Sequence, residues 1–199
     1  MKSYPKKVRL KDGTQIVLRP MIKKDVGKLL EFFKGLPDED RMFLKEDVTK
    51  RKVIEGWAKE LDYKRILPIL AETKGKIIGD ATLHRPRHGW SRHVGEIRMV
   101  VAKKYQRNGL GTILAREMYH HAMESKLEKL TAQAMETQVG AIKAFEKLGF
   151  KKEAVLTDQV IDIKGRKQNL IIMTNYVEDL WSKMEEIYST EKFAATVRQ

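Results

Sequence analysis

The chain has 199 residues and no cysteine. That absence excludes a disulfide framework, a thiolate nucleophile, a cysteine-ligated zinc and an iron–sulfur cluster together, so any catalysis must use other groups. Proline is scarce, at five residues, and no Gly/Ser-rich or Pro-rich tract, internal repeat or low-complexity segment divides the sequence. One domain with a short tail is the economical reading. Long apolar runs are missing as well: stretches such as Leu170-Ile171-Ile172-Met173 fall far short of a membrane span, and the start, MKSYPKKVRLKDG, lacks the apolar core of a signal peptide. A soluble, cytoplasmic protein is expected. Acidic residues are the last shortage, 27 against 40 Lys and Arg, for a formal net charge of +13. Such an excess suits phosphate-bearing or acidic partners, and a solvated Lys-rich surface produces the same sum.

What is present suffices for a core, with 42% hydrophobic residues. Residues 8–18 read as a β-hairpin turning at Asp12-Gly13, and Pro20 stops its second strand. Val26, Leu29, Leu30 and Phe33 recur at helical spacing within 22–34, and 38–61 reads as two helical pieces with a cap around Asp47 to Thr49. Strands follow at 66–71 and 77–83, joined through Lys74-Gly75-Lys76, and at 94–101. The period then changes: a helix at 111–124, a strand at 129–134, a helix at 139–147. A closing hairpin pairs 154–163 with 168–175. A βαβ alternation between antiparallel segments predicts a mixed α/β sheet with a crossover helix.

The most informative local feature is Gln106-Arg107-Asn108-Gly109-Leu110-Gly111-Thr112, set between a strand and a helix. Two glycines let the backbone turn sharply, so that successive N–H groups converge on an anion at a helix N-terminus. Other phosphate motifs fit worse. A dinucleotide fingerprint needs a small residue where Leu114 stands, and the Gly-Lys-Ser/Thr of a Walker loop is nowhere in the chain.

Strand, Gln-x-x-Gly-x-Gly, helix and strand, followed by Gln138-Val139-Gly140-Ala141-Ile142-Lys143-Ala144-Phe145-Glu146-Lys147-Leu148-Gly149-Phe150, resembles the GCN5-related N-acetyltransferase (GNAT) superfamily. Leu18-Arg19-Pro20 with Asp25 resembles that family's first strand and helix entry. The resemblance implies a GNAT-type mixed, mostly antiparallel sheet with splayed central strands flanked by helices, forming one domain over 1–175. It implies an N-acetyltransferase that moves an acetyl group from acetyl-CoA, as cosubstrate, to a primary amine by direct attack in a ternary complex. The acceptor would be a protein lysine or a small-molecule amine. Met99, Val100 and Val101 would offer backbone groups to the pantetheine arm, as an added strand does. Gln106, Arg107, Asn108, Gly109, Leu110, Gly111 and Thr112 would hold the pyrophosphate, and no metal is implied.

Two positions depart from the family pattern. Gln138 stands where an Asn often contacts CoA, and its longer amide keeps the same donors and acceptor. Phe145 stands where a Tyr often protonates the departing thiolate, and it has no proton to give. Glu96, on the strand of Met99, is the candidate base; a strand carboxylate paired with Arg98 is the structural alternative. Phe145 keeps open a non-catalytic acyl-CoA sensor, and the net charge a nucleic-acid-binding module, although no recognition motif supports the latter.

Residues 84–93 gather three His, three Arg and Trp90 between two strands, a loop suited to an acidic acceptor or to solvent. Residues 176–199 are expected to form an amphipathic helix and tail. Its stripe of Val177, Leu180, Trp181, Met184, Ile187 and Tyr188 would pack on the sheet or form a homodimer interface.

Overall fold

The computed structural model describes residues 4–41, 44–86, 88–162 and 164–179. Strands β1 (Lys6–Arg9) and β2 (Gln15–Pro20) form the first hairpin, with Gly13 supplying the positive φ of its turn. A single 3-10 turn leads into α1 (Val26–Lys34), followed by α2 (Asp38–Arg41) and α3 (Arg51–Lys59). Next come β3 (Ile66–Thr73), β4 (Lys76–His84), β5 (Val94–Val101), α4 (Leu110–Glu124), β6 (Lys129–Met135), α5 (Val139–Lys147), β7 (Lys151–Ile161) and β8 (Lys167–Tyr176). The strands lie in the order β1-β2-β3-β4-β5-β6-β8-β7 in one mixed, mostly antiparallel sheet. β6 runs parallel to β5, as the crossover through α4 requires. Their register comprises Val94↔Lys129, Gly95↔Leu130 and Glu96↔Thr131, while β5 continues to Val101 and β6 to Met135.

Contacts divide the chain into two compact units, Met1–Thr82 with Met99–Glu117, and Leu83–Arg98 with Met118–Gln199. In the first, Leu29, Phe32 and Phe33 of α1 and Ile54 and Ala58 of α3 bury one apolar cluster with Leu70 and Ile77. Each such large side chain contributes about 1.5–3 kcal/mol. Phe33 meets Trp57 edge to face at 5.7 Å, the favoured arrangement of two ring quadrupoles. An ion network fixes where α1 starts. Arg19 on β2 donates two bonds to Asp25, at 2.7 and 2.8 Å, and two to Glu72, which also accepts from Lys28. Asp25 in turn accepts from the Ile22 amide at 2.8 Å. Burial pushes the Asp25 carboxyl up, but the Arg19 and Ile22 hydrogen bonds outweigh it and hold the carboxyl below its usual value.

In the second unit β8 pairs with β6 and with β7, and Leu130, Ala132, Ala134, Ile171 and Met173 are buried. The expected cap near Asp47 is displaced. Its carboxylate accepts from the Thr49 amide and hydroxyl, while Lys50 occupies the cap position of α3 without a side-chain bond. Val177 begins a helical segment; the rest of the expected tail stripe, from Leu180 on, lies outside the described residues.

Candidate active site

β5 delivers the chain to the glycine-bearing turn. At its end the Ala102 amide donates to Ile78 O of β4 at 3.0 Å, and a short 3-10 turn over Lys103–Tyr105 carries the backbone out. Gln106 folds back, its Nε2 donating to Val101 O at 3.0 Å, so its amide ties the loop to the strand. Arg107 and Gly109 both hold positive φ, +58° and +86°. Sequence reasoning assigned the turn to two glycines; the structure assigns it to Arg107 and Gly109, with Gly111 already in the first turn of α4. Alternating backbone signs about Asn108 are those of an anion-binding nest.

Asn108 braces the loop from outside. Its carbonyl accepts from the Lys11 amide at 3.3 Å and its Oδ1 from the Asp12 amide at 3.0 Å, fastening the β1–β2 turn to the loop. α4 then opens with Leu110 buried, and the Ile113 amide is the first to reach an acceptor, Gly109 O. The amides of Leu110, Gly111 and Thr112 precede it and have no intrahelical carbonyl. A Cβ built on Gly111 would meet no atom within 4 Å, so the first turn of α4 shows an open backbone face. Orphan amides, a helix dipole and this open face together suit a phosphate group.

Glu96 and Gln138 belong to the second unit. Arg98 donates to both Glu96 carboxylate oxygens at 3.1 Å, the pairing that strand neighbours on one face permit. Gln138 caps α5, and its Oε1 accepts from the Met135 amide at 2.9 Å, which closes the turn between β6 and α5.

The sequence model of the acetyltransferase (GNAT) family matches residues 30–150. The chain belongs to that family. Its fold is that of solved relatives. The GNAT domain of Streptomyces lividans PAT is 17% identical, superposes with a TM-score of 0.75, and the match covers 88% of this chain and 98% of that one. Mycobacterium smegmatis RimJ in complex with CoA-disulfide is 18% identical with a TM-score of 0.76, over 96% of both chains. The protein yncA from Salmonella typhimurium with its cofactor acetyl-CoA is 17% identical with a TM-score of 0.68, over 81% of this chain and 94% of that one.

Within this GNAT chain Phe145 is buried on α5 and packs edge to face on Phe150 at 5.2 Å. Of the basic loop, Trp90 is 92% exposed, while Arg85 reaches the Ser125 hydroxyl. Sequence reasoning missed Asp80. This carboxylate sits partly buried in β4 between Gly79 and Ala81, and burial pushes it up to about 7 against one lowering contact from Thr82. The signal was available: an acidic residue inside the otherwise apolar run Ile77-Ile78-Gly79-Asp80-Ala81 costs desolvation and needs a reason. Among the described residues no cluster of three His, Asp or Glu is arranged to hold a metal ion, and no helix is long and apolar enough to cross a membrane.

Proposed function

We propose that this GNAT chain is an acetyl-CoA-dependent N-acetyltransferase acting on a primary amine by direct attack in a ternary complex. The observation that carries the reading is the turn between β5 and α4: a nest at Arg107–Gly109, followed by orphan amides on a helix face that Gly111 leaves open. On this reading the amides of Gln106 to Thr112 hold the pyrophosphate, and the side chains of Gln106 and Asn108 keep the loop in shape. Met99, Val100 and Val101 lie on β5 beyond its register with β6 and offer backbone groups to the pantetheine arm. Gln138, whose Nε2 has no partner among the described residues, contributes an amide donor to CoA. The Val101 amide polarises the thioester carbonyl, where a fixed donor stabilises developing negative charge.

Glu96 is the proposed proton acceptor, held in one orientation by Arg98. Phe145 supplies packing and no proton, so CoA leaves as a thiolate that solvent protonates. Chemistry of this kind uses an intracellular thioester, which carries a cytoplasmic location with it. The test is acetyl-CoA turnover against pooled alkylamines and peptides, with Glu96→Gln alongside. Loss of turnover by about 10²–10⁴ in that variant supports the assignment of the base. Unchanged turnover removes Glu96 from it. Tight acetyl-CoA binding with no acetylation of any amine would favour an acyl-CoA sensor instead.

A further inference from the structure

An ammonium acceptor must lose two protons before it becomes an amide, one to turn nucleophilic and one on attack. Asp80 is placed to take the first. Strand alternation puts it on the face of β4 opposite to that on which Gly79 meets Leu110 and Leu114 of α4. The neighbouring backbone is the end of β5: Ile78 O accepts the Ala102 amide, and an ideal Cβ on Gly79 lies 3.4 Å from Val100 O. Asp80 therefore stands beside Val100–Ala102, the segment from which the phosphate-binding turn departs.

The fold provides this carboxylate with little. Thr82 Oγ1 donates to Asp80 Oδ1 at 3.4 Å, longer than an ordinary hydroxyl bond, and no cation pairs with it among the described residues. Enclosed carboxylates elsewhere in the same unit are treated differently. Asp25 has Arg19, Glu72 has Arg19 and Lys28, and Glu117 has Lys6 at 2.7 Å. Asp80 is only partly buried, so a cation from solution can reach it.

We propose that Asp80 is the acceptor subsite, receiving a protonated primary alkylamine and taking the first proton from it. This rests on the acetyltransferase reading above, and it names the acceptor class as amines that arrive as ammonium ions. R–NH3⁺ gives one proton to the Asp80 carboxylate and becomes R–NH2. The nitrogen lone pair forms the C–N bond to the acetyl carbon as the C–S bond breaks and CoA leaves as the thiolate. The second proton leaves the nitrogen through solvent, the thiolate takes one from solvent, and the Asp80 carboxylic acid returns its own. The balance is ammonium plus acetyl-CoA giving amide, CoA thiol and one proton. Burial without a cation raises the Asp80 carboxyl to about 7, a range in which a carboxylate accepts a proton better than an ordinary one does.

The experiment compares the full chain with Asp80→Asn at pH 8, using n-butylamine, an ammonium ion at that pH, and trifluoroethylamine, largely neutral there. For butylamine kcat/KM is expected to fall about 10–100-fold, as for loss of a hydrogen bond to a charged group. For trifluoroethylamine the change should stay within about threefold, and KM for acetyl-CoA should not move. A thermal melt no lower than that of the parent shows that Asp80→Asn is folded. Equal losses with both amines, or none with either, overturn the role of Asp80 while leaving the acetyltransferase reading in place. Absence of turnover by the parent with both amines, where peptides are still acetylated, overturns the alkylamine subsite alone; absence of turnover with every amine and peptide removes the acetyltransferase reading, and the subsite with it.

Discussion

Gly109 and Gly111 stand two positions apart and answer to different constraints. At Gly109 the backbone is left-handed, φ +86°, where a side chain costs about 1–2 kcal/mol. Gly109→Ala is therefore expected to lower the melting temperature. Gly111 lies inside α4, and a Cβ there meets no atom within 4 Å. Gly111→Ala should raise stability by about 0.5–1 kcal/mol through the helix preference of alanine. Its methyl group would occupy the face proposed for the pyrophosphate, so acetyl-CoA affinity should drop at least about tenfold. Calorimetric titration beside a thermal melt checks both halves, and undiminished affinity in Gly111→Ala would remove this turn as the cradle. Asp80 has an opposite balance. Its folded carboxyl is raised from 3.8 to about 7, so between these values the folded state binds more protons than the unfolded one and stability falls as pH rises. Asp80→Asn should thus gain little near pH 4 and about 2–4 kcal/mol at pH 8, read from denaturant melts at the two pH values. A stability gain combined with a loss of ammonium acceptors is the signature of a group kept for chemistry rather than for folding.

At the level of elements the ion network under α1 sets a testable dependence on acid. Asp25 is buried at 3% exposure and Arg19 is the cation it pairs with. Arg19→Ala leaves a buried carboxylate unpaired, at a cost of about 3–5 kcal/mol. Asp25 and Glu72 are both held below their usual range, so the stability they lend is full above the ordinary carboxylate pKa and is lost as pH falls through the depressed values. In Arg19→Ala the acid limb of a stability–pH curve should therefore flatten, and a variant melting as the parent does at both pH 7 and pH 3 would sink this account. The elements themselves were legible. Asp12-Gly13 and Lys74-Gly75 announce tight turns, and the change of hydrophobic period after Val101 announces the crossover helix, because both signals are local. Pairings across long separations were not: Asn108 fastens residues 11 and 12, and Glu117 takes Tyr4 and Lys6. The positive φ at Arg107 was hidden too, since nothing in a long polar side chain advertises a left-handed backbone.

Over the whole molecule the excess of +13 is unevenly held, because residues 176–199 carry −2 and the remainder +15. A polyanionic cosubstrate approaches such a body faster than a neutral one does, through a field that salt screens within about 10 Å at 0.1 M. Steering of this kind acts on encounter and leaves the bound reaction alone. Raising salt from 50 to 500 mM should then increase KM for acetyl-CoA by less than about tenfold at constant kcat. A nucleic-acid-binding module with the same charge would behave differently, since releasing counterions from six to ten phosphates weakens binding by about 10³–10⁵ between 50 and 200 mM. Trp90, 92% exposed among basic residues, is where a base would stack if that reading held. Fluorescence polarisation of a labelled single-stranded oligonucleotide at both salt concentrations separates the two. Weak binding at 50 mM, unaltered by Trp90→Ala, assigns the charge to steering of the cosubstrate; tight binding that collapses with salt and with that substitution would move the function to nucleic acid.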